Sequence, residues 1–228
     1  MPQSAVCNPH LDDPMEHSME DPMEDPNDEP MEDPVTENDK PTTGTAKSER
    51  IVEKLSFESR FVLIFGEINS AAARTVCERL IALAQESDAP IRMLISSPGG
   101  HVESGDAIHD MIKFVRAPVT TIGTGWVASA GTHIFLAAPK ERRVCLPNTR
   151  FMIHQPAGGM GGQASDIAIQ AKEILRTRER IARTISQETG KPHAQVLTDM
   201  ERDYWMNAEE AVTYGIVGKI IQRHDQLA

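Results

Sequence analysis

Between residues 61 and 137 a short apolar run gives way to a segment with helical spacing three times in succession. Phe61-Val62-Leu63-Ile64-Phe65, closed by Gly66, reads as a buried strand. Asn69 or Ser70 then caps a helix through Ala84, with Ala72, Val76, Leu80 and Leu83 on one face. Ile91–Ile95 is a second strand, broken by Pro98-Gly99-Gly100, and His101–Val115 is the next helix, with Val102, Ile108, Ile112 and Val115 inward. Val119–Ile122 repeats the strand and Ser129–Ala137 the helix. The pattern therefore predicts an α/β domain with parallel pairing. Val144–Leu146 and Arg150–Ile153 read as further short strands.

The alternation begins only after residue 50. Residues 1–50 hold fourteen acids against three bases, which accounts for the whole formal charge of −11; the other 178 residues carry 20 of each. Met-Glu-Asp-Pro recurs at Met19–Pro22, Met23–Pro26 and Met31–Pro34. Proline at this density blocks helix and sheet, and acid self-repulsion with little apolar bulk leaves nothing to form a core. We expect 1–50 to be a disordered acidic tail and 51–228 one folded domain. A neutral body argues against nucleic acid as a partner. The chain shows neither a secretory signal pattern nor an apolar run long enough for a bilayer, so no membrane association is expected. Cys7, Cys77 and Cys145 are odd in number and far apart. They suit neither a disulfide framework nor a metal cluster, but fit a reducing, cytoplasmic setting.

A longer helix is expected from about Ala164 to Thr189, after Gly158-Gly159-Met160-Gly161-Gly162 and stopped by Gly190. Ile167, Ala171, Ile174, Ile181 and Ile185 line one side; Lys172, Arg176, Arg178, Arg180 and Arg183 occupy the others. So narrow a stripe fits a helix that projects to meet another subunit, and equally an ordinary packed helix with a solvated basic face.

Three features suit acyl transfer: the paired glycines Gly99-Gly100 as bare backbone donors, Ser129 between Ala128 and Ala130-Gly131 as nucleophile, and His154 as base. Each also has a plain structural reading. A serine where strand becomes helix is often an N-cap. A histidine beside Phe151-Met152-Ile153 is often a satisfied core residue, and His10, His17, His101, His109, His133, His193 and His224 compete with it. Paired glycines often make only a tight turn. Twenty acids in the body are candidates to orient an imidazole. Spacing alone leaves these choices open. The P-loop and dinucleotide fingerprints are absent, as are His-Glu-x-x-His and paired Cys-x-x-Cys, so neither cofactor nor metal is expected.

From about Ile51 to Ile221 the chain resembles the proteolytic subunits of the Clp protease, a family of serine peptidases. The motifs that carry the resemblance are Ser97-Pro98-Gly99-Gly100, Ala128-Ser129-Ala130-Gly131, Leu146-Pro147-Asn148-Thr149-Arg150-Phe151-Met152-Ile153-His154-Gln155-Pro156, Gln163-Ala164-Ser165-Asp166-Ile167 and Glu201-Arg202-Asp203. The resemblance implies Ser129 as nucleophile, His154 as base and Asp203 as the acid that orients it. It further implies an oxyanion hole from the backbone N–H groups of Gly100 and Ala130. The implied fold is the crotonase-like α/β spiral of strand–strand–helix repeats, with the helix from Ala164 as a projecting handle. Two seven-membered rings would stack around a closed chamber, Arg202 would pair across their interface, and an AAA+ unfoldase would deliver unfolded polypeptide.

The chain departs from the family pattern at Ser96 (usually Asn) and at Gly218 (usually Asp). It also lacks the apolar N-terminal loop, since Thr42–Arg50 carries no large apolar side chain, which puts the usual docking of the unfoldase in doubt. The leading expectation is thus a cytoplasmic serine endopeptidase subunit. Its alternatives are a non-catalytic or paralogue-dependent subunit of a mixed ring, which the missing loop favours, and a crotonase-type acyl-CoA enzyme, for which a serine–histidine pair has no use.

Overall fold

The computed structural model describes residues 43–159 and 161–227, with side chains from Ile51 onward. One compact unit spans Thr42–Ala228. The expected acidic tail lies outside the described residues as far as residue 42. Its last eight residues do not: helix α1 occupies Thr43–Glu58, across the expected boundary at Ile51. Proline density sets that expectation, and the last proline of the tail is Pro41, so nothing after it prevents a helix.

Among the described residues, seven strands and six further α-helices follow. In chain order they are β1 (Phe61–Phe65), α2 (Ser70–Glu86), β2 (Ile91–Ser97), α3 (Val102–Phe114), β3 (Val119–Ala128), α4 (Ala130–Phe135), β4 (Arg143–Cys145), β5 (Arg150–Ile153), α5 (Ala164–Thr189), α6 (His193–Asp199), β6 (Tyr204–Met206), α7 (Ala208–Tyr214) and β7 (Lys219–Ile220). The sheet order is β1-β2-β3-β4-β7, with β5 also paired to β3 and β6 to β5. All pairs are parallel except β5–β6. The α/β class and the parallel sheet are as the alternation predicts.

Differences in detail have physical causes. β1 is an edge strand with one uncovered face, so Val62 and Ile64 are buried while Leu63 and Phe65 are exposed, and it is not the fully buried run expected. β3 runs six residues past Ile122. Its first half pairs with β4 and its second half with β5, so one strand serves two directions of the sheet. Gly125 between the halves has φ +59, a conformation that favours glycine. Only the C-terminal half of the α5 stripe is buried, through Ala182 and Ile185, whereas Ile167 and Ile169 are exposed. The helix therefore projects from the body at its N-terminal end. Gly218, where the family pattern has Asp, sits so close to the Lys140 carbonyl that a Cβ would collide with it.

The core between sheet and helices is continuous, from Leu80 and Leu83 of α2 through Ile91, Met93 and Ile95 to Phe135 and Phe151. Phe135 and Phe151 meet edge to face at 5.1 Å. Cys145 lies within this core, and burial pushes its thiol up to about 12.

Candidate active site

Strand register, more than any local motif, brings the site together. β3 and β5 run parallel with Ala128 beside Met152, so the residues leaving the two strands at the same end are Ser129 and, two on from Met152, His154. β6 runs antiparallel to β5 with Ile153 opposite Tyr204, so the next step along each strand sets His154 opposite Asp203. Three residues distant in sequence thus lie in one row, at the carboxyl ends of parallel strands where open α/β sheets place their sites.

The side chains complete the row. Ser129 Oγ is 2.8 Å from His154 Nε2, and His154 Nδ1 is 3.0 Å from Asp203 Oδ1. With the proton on Nδ1, the imidazole donates to Asp203 and accepts from the Ser129 hydroxyl. The His154 side chain is 29% exposed and that of Asp203 60%. The nucleophile–base–orienter arrangement needed for covalent acyl transfer is therefore present. His10 and His17 lie outside the described residues. Among the described histidines, His154 is the one whose ring is hydrogen-bonded to the Ser129 hydroxyl.

Ser129 is not the helix cap that its position suggests. It precedes α4 but makes no capping bond with its side chain; its backbone has φ 54 and ψ −121, which only Arg60 among the other described non-glycine residues approaches in sign of φ. Holding such a conformation costs on the order of 1–3 kcal/mol and requires support from its surroundings. That support is visible. Ser129 N–H donates to the Met152 carbonyl at 2.9 Å and His133 N–H donates to the Ser129 carbonyl at 3.1 Å. The buried Thr132 hydroxyl lies 2.7 Å from the Val127 carbonyl and 2.8 Å from that of Met152, locking strand to helix.

The glycine pair lies alongside. Gly99 has φ +100, and a Cβ there would come within 2.6 Å of Ser129 Cβ and 3.1 Å of Ala130 N. Gly99 N–H is held by Ser97 Oγ at 3.0 Å, and the Gly99 carbonyl accepts from Ile68. Gly100 N–H and Ala130 N–H, by contrast, have no acceptor among the described residues. Donors left free beside a serine hydroxyl are what a developing oxyanion would need.

Two contributions escape sequence reading. Gln155 binds the histidine loop to the aspartate loop, its N–H reaching the Met200 carbonyl at 2.6 Å and its Nε2 the Glu201 carbonyl at 2.9 Å. The signal available was its place directly after His154. Beside Ser129 lies a pocket walled by Val102, Ile153, Pro156, Ile181 and Ile185. The helical stripes supply three of these residues, but nothing in the spacing brings them together. No group of three or more His, Cys, Asp or Glu able to hold a metal ion occurs among the described residues, and none of their helices is long and apolar enough to cross a membrane.

A family model described as Clp protease matches residues 43–224. The chain belongs to the Clp protease family. It is 58% identical over 165 residues to an ATP-dependent Clp protease proteolytic subunit 3 of Rhizobium meliloti, covering 72% of this chain and 85% of that one. A proteolytic subunit 2 of Gluconobacter oxydans is 54% identical over 193 residues, covering 84% of this chain and 86% of the relative. A solved ClpP1 structure from Listeria monocytogenes superposes with a TM-score of 0.71 at 50% identity, covering 78% of this chain and 99% of that one. A second, of a mutant of that protein, gives 0.73 at 52% identity. The Clp fold and a protease subunit of the Clp type follow from these likenesses.

Proposed function

We propose that this Clp-type subunit is a serine endopeptidase acting through Ser129, His154 and Asp203. The observation that carries the reading is the unbroken hydrogen-bonded row from Ser129 Oγ through the imidazole to Asp203 Oδ1. In the proposed cycle His154 takes the hydroxyl proton as Ser129 attacks the peptide carbonyl. The oxyanion falls to the N–H groups of Gly100 and Ala130. His154 then protonates the leaving amine and activates water to release the acyl group, while Asp203 holds the tautomer and stabilises the imidazolium. The mostly apolar pocket beside Ser129 is the proposed place for an apolar side chain of the substrate.

The proposed setting is a cytoplasmic ring chamber of stacked heptamers, or a ring mixed with a paralogue, fed with unfolded polypeptide by an AAA+ unfoldase. The relatives' names, which describe ATP-dependent proteolytic subunits, support it. So do the exposed apolar side chains of the projecting α5 and the unpaired Cys77 and Cys145. The assembled row counts against a purely non-catalytic subunit and against an acyl-CoA enzyme. Ser129→Ala is expected to lower turnover of a fluorogenic peptide by about six orders of magnitude if the three residues act as a unit. Turnover close to that of the unaltered protein would defeat the assignment.

A further inference from the structure

A second polar chain sits directly behind the nucleophile, outside the row described above. His133 is four residues after Ser129 on α4, and its side chain is 8% exposed. Its Nε2 lies 2.9 Å from Asp106 Oδ1 on α3. Asp106 in turn accepts both arms of the Arg180 guanidinium on α5, at 2.7 Å each. The His133 ring stacks on His109 of α3, with centroids 4.4 Å apart and 14° between planes. Three helices therefore meet at one buried imidazole.

The need for such a hold follows from the site. α4 is six residues long, too short to be stable by itself, and its first turn lacks the usual side-chain cap because the Ser129 hydroxyl is engaged by His154. The residue just before it, Ser129, carries the strained backbone. His133 is bonded through its own N–H to the Ser129 carbonyl, so fixing the imidazole fixes the residue that must not move. The anchor is a charged one. Burial opposes ionisation of Asp106, but hydrogen bonds from His133 and Arg180 outweigh it and hold the carboxyl well below the usual carboxylate range.

We propose that His133 is a positioning residue for Ser129, and that the His133–Asp106–Arg180 chain makes the placement of the nucleophile depend on where α5 is seated. His133 also lines the pocket beside Ser129, but none of the three touches the reacting atoms; they act through the backbone of α4. The inference rests on Ser129 being the nucleophile.

The test uses the full-length protein and four variants. His133→Phe keeps the ring and its stack on His109 but has no donor for Asp106. His133→Gln restores a donor. Arg180→Met removes the α5 arm of the chain, while the Lys113–Glu188 pair between α3 and α5 is kept. The double variant combines His133→Phe with Arg180→Met. Peptide kcat and KM, the rate of fluorophosphonate labelling, oligomeric state by native mass spectrometry and thermal melting are measured for each. His133→Phe is expected to lose about 10- to 100-fold in kcat and in labelling rate with KM within about twofold, and His133→Gln to recover to within about threefold. Arg180→Met is expected to fall in the same direction by less, and the double variant to match His133→Phe alone, because one chain is cut in two places. The proposal is overturned if His133→Phe keeps full kcat, if its loss lies in KM, if His133→Gln fails to recover while melting as the unaltered protein does, or if the losses in the double variant multiply. An inactive Ser129→Ala beside a fully active His133→Phe sinks only this inference; an active Ser129→Ala sinks the assignment of the nucleophile.

Discussion

Among the residues, the one whose contribution is easiest to isolate is Asp203. It touches neither Ser129 nor the substrate's reacting carbonyl in the proposed cycle; it sets which nitrogen of His154 bears the proton. Asp203→Asn keeps the size and a hydrogen bond to Nδ1, but lets the amide donate and so favours the tautomer that cannot accept from Ser129. The expected loss in kcat is about 10²- to 10⁴-fold, because this carboxylate is more exposed than one sealed in a protein interior. Steady-state kinetics with unchanged KM are the check. A loss confined to KM would mean that Asp203 binds substrate instead.

At the scale of elements, the legible and the illegible parts divide by range. Strands and helices up to residue 137, and α5 to the residue, follow from apolar spacing and from stops such as Gly190, whose φ of 77 closes the helix. What spacing cannot give is register. Ser129, His154 and Asp203 are chosen by the Ala128–Met152 and Ile153–Tyr204 pairings, and a strand of three residues such as β6 leaves almost no periodic signal. The family resemblance names the three residues; the register supplies the physical reason they meet. The N-cap reading of Ser129 fails for the same cause, since its hydroxyl is claimed by His154, 25 residues away and just past the end of β5.

The packing of α3 on α4 also has a pH signature. Burial chiefly, and the neighbouring His133, depress the pKa of His109, against smaller support from Asp110; Lys113 adds to the depression. The unfolded chain then takes up a proton, near pH 6.5 and below, that the folded imidazole refuses. This lowers stability as pH falls from about 7 towards the depressed value. His109→Phe keeps the ring stack and removes the proton uptake. Its unfolding free energy, measured by denaturant titration at fixed protein concentration, is expected to fall less steeply between about pH 7 and pH 5 than that of the unaltered protein. Equal slopes would show that His109 is not the responsible group.

At the scale of the whole molecule, the projecting half of α5 leaves apolar side chains uncovered. Ile169 and Leu175 are each 62% exposed on it, and large apolar side chains left uncovered on a projecting helix suit an association surface. In the proposed stacked rings these residues are covered by a second copy. Ile169→Glu with Leu175→Glu is expected to shift the assembly to smaller species in native mass spectrometry while the fold of the compact unit, followed by circular dichroism, is kept. Unchanged assembly would place the contact elsewhere.

The measurement that bears most directly on the whole account is mapping of a fluorophosphonate adduct by peptide mass spectrometry on the assembled protein. One adduct per subunit on Ser129, lost in His154→Ala with assembly intact, is the predicted result. An adduct on another serine, or equal labelling of Ser129 without His154, would contradict it.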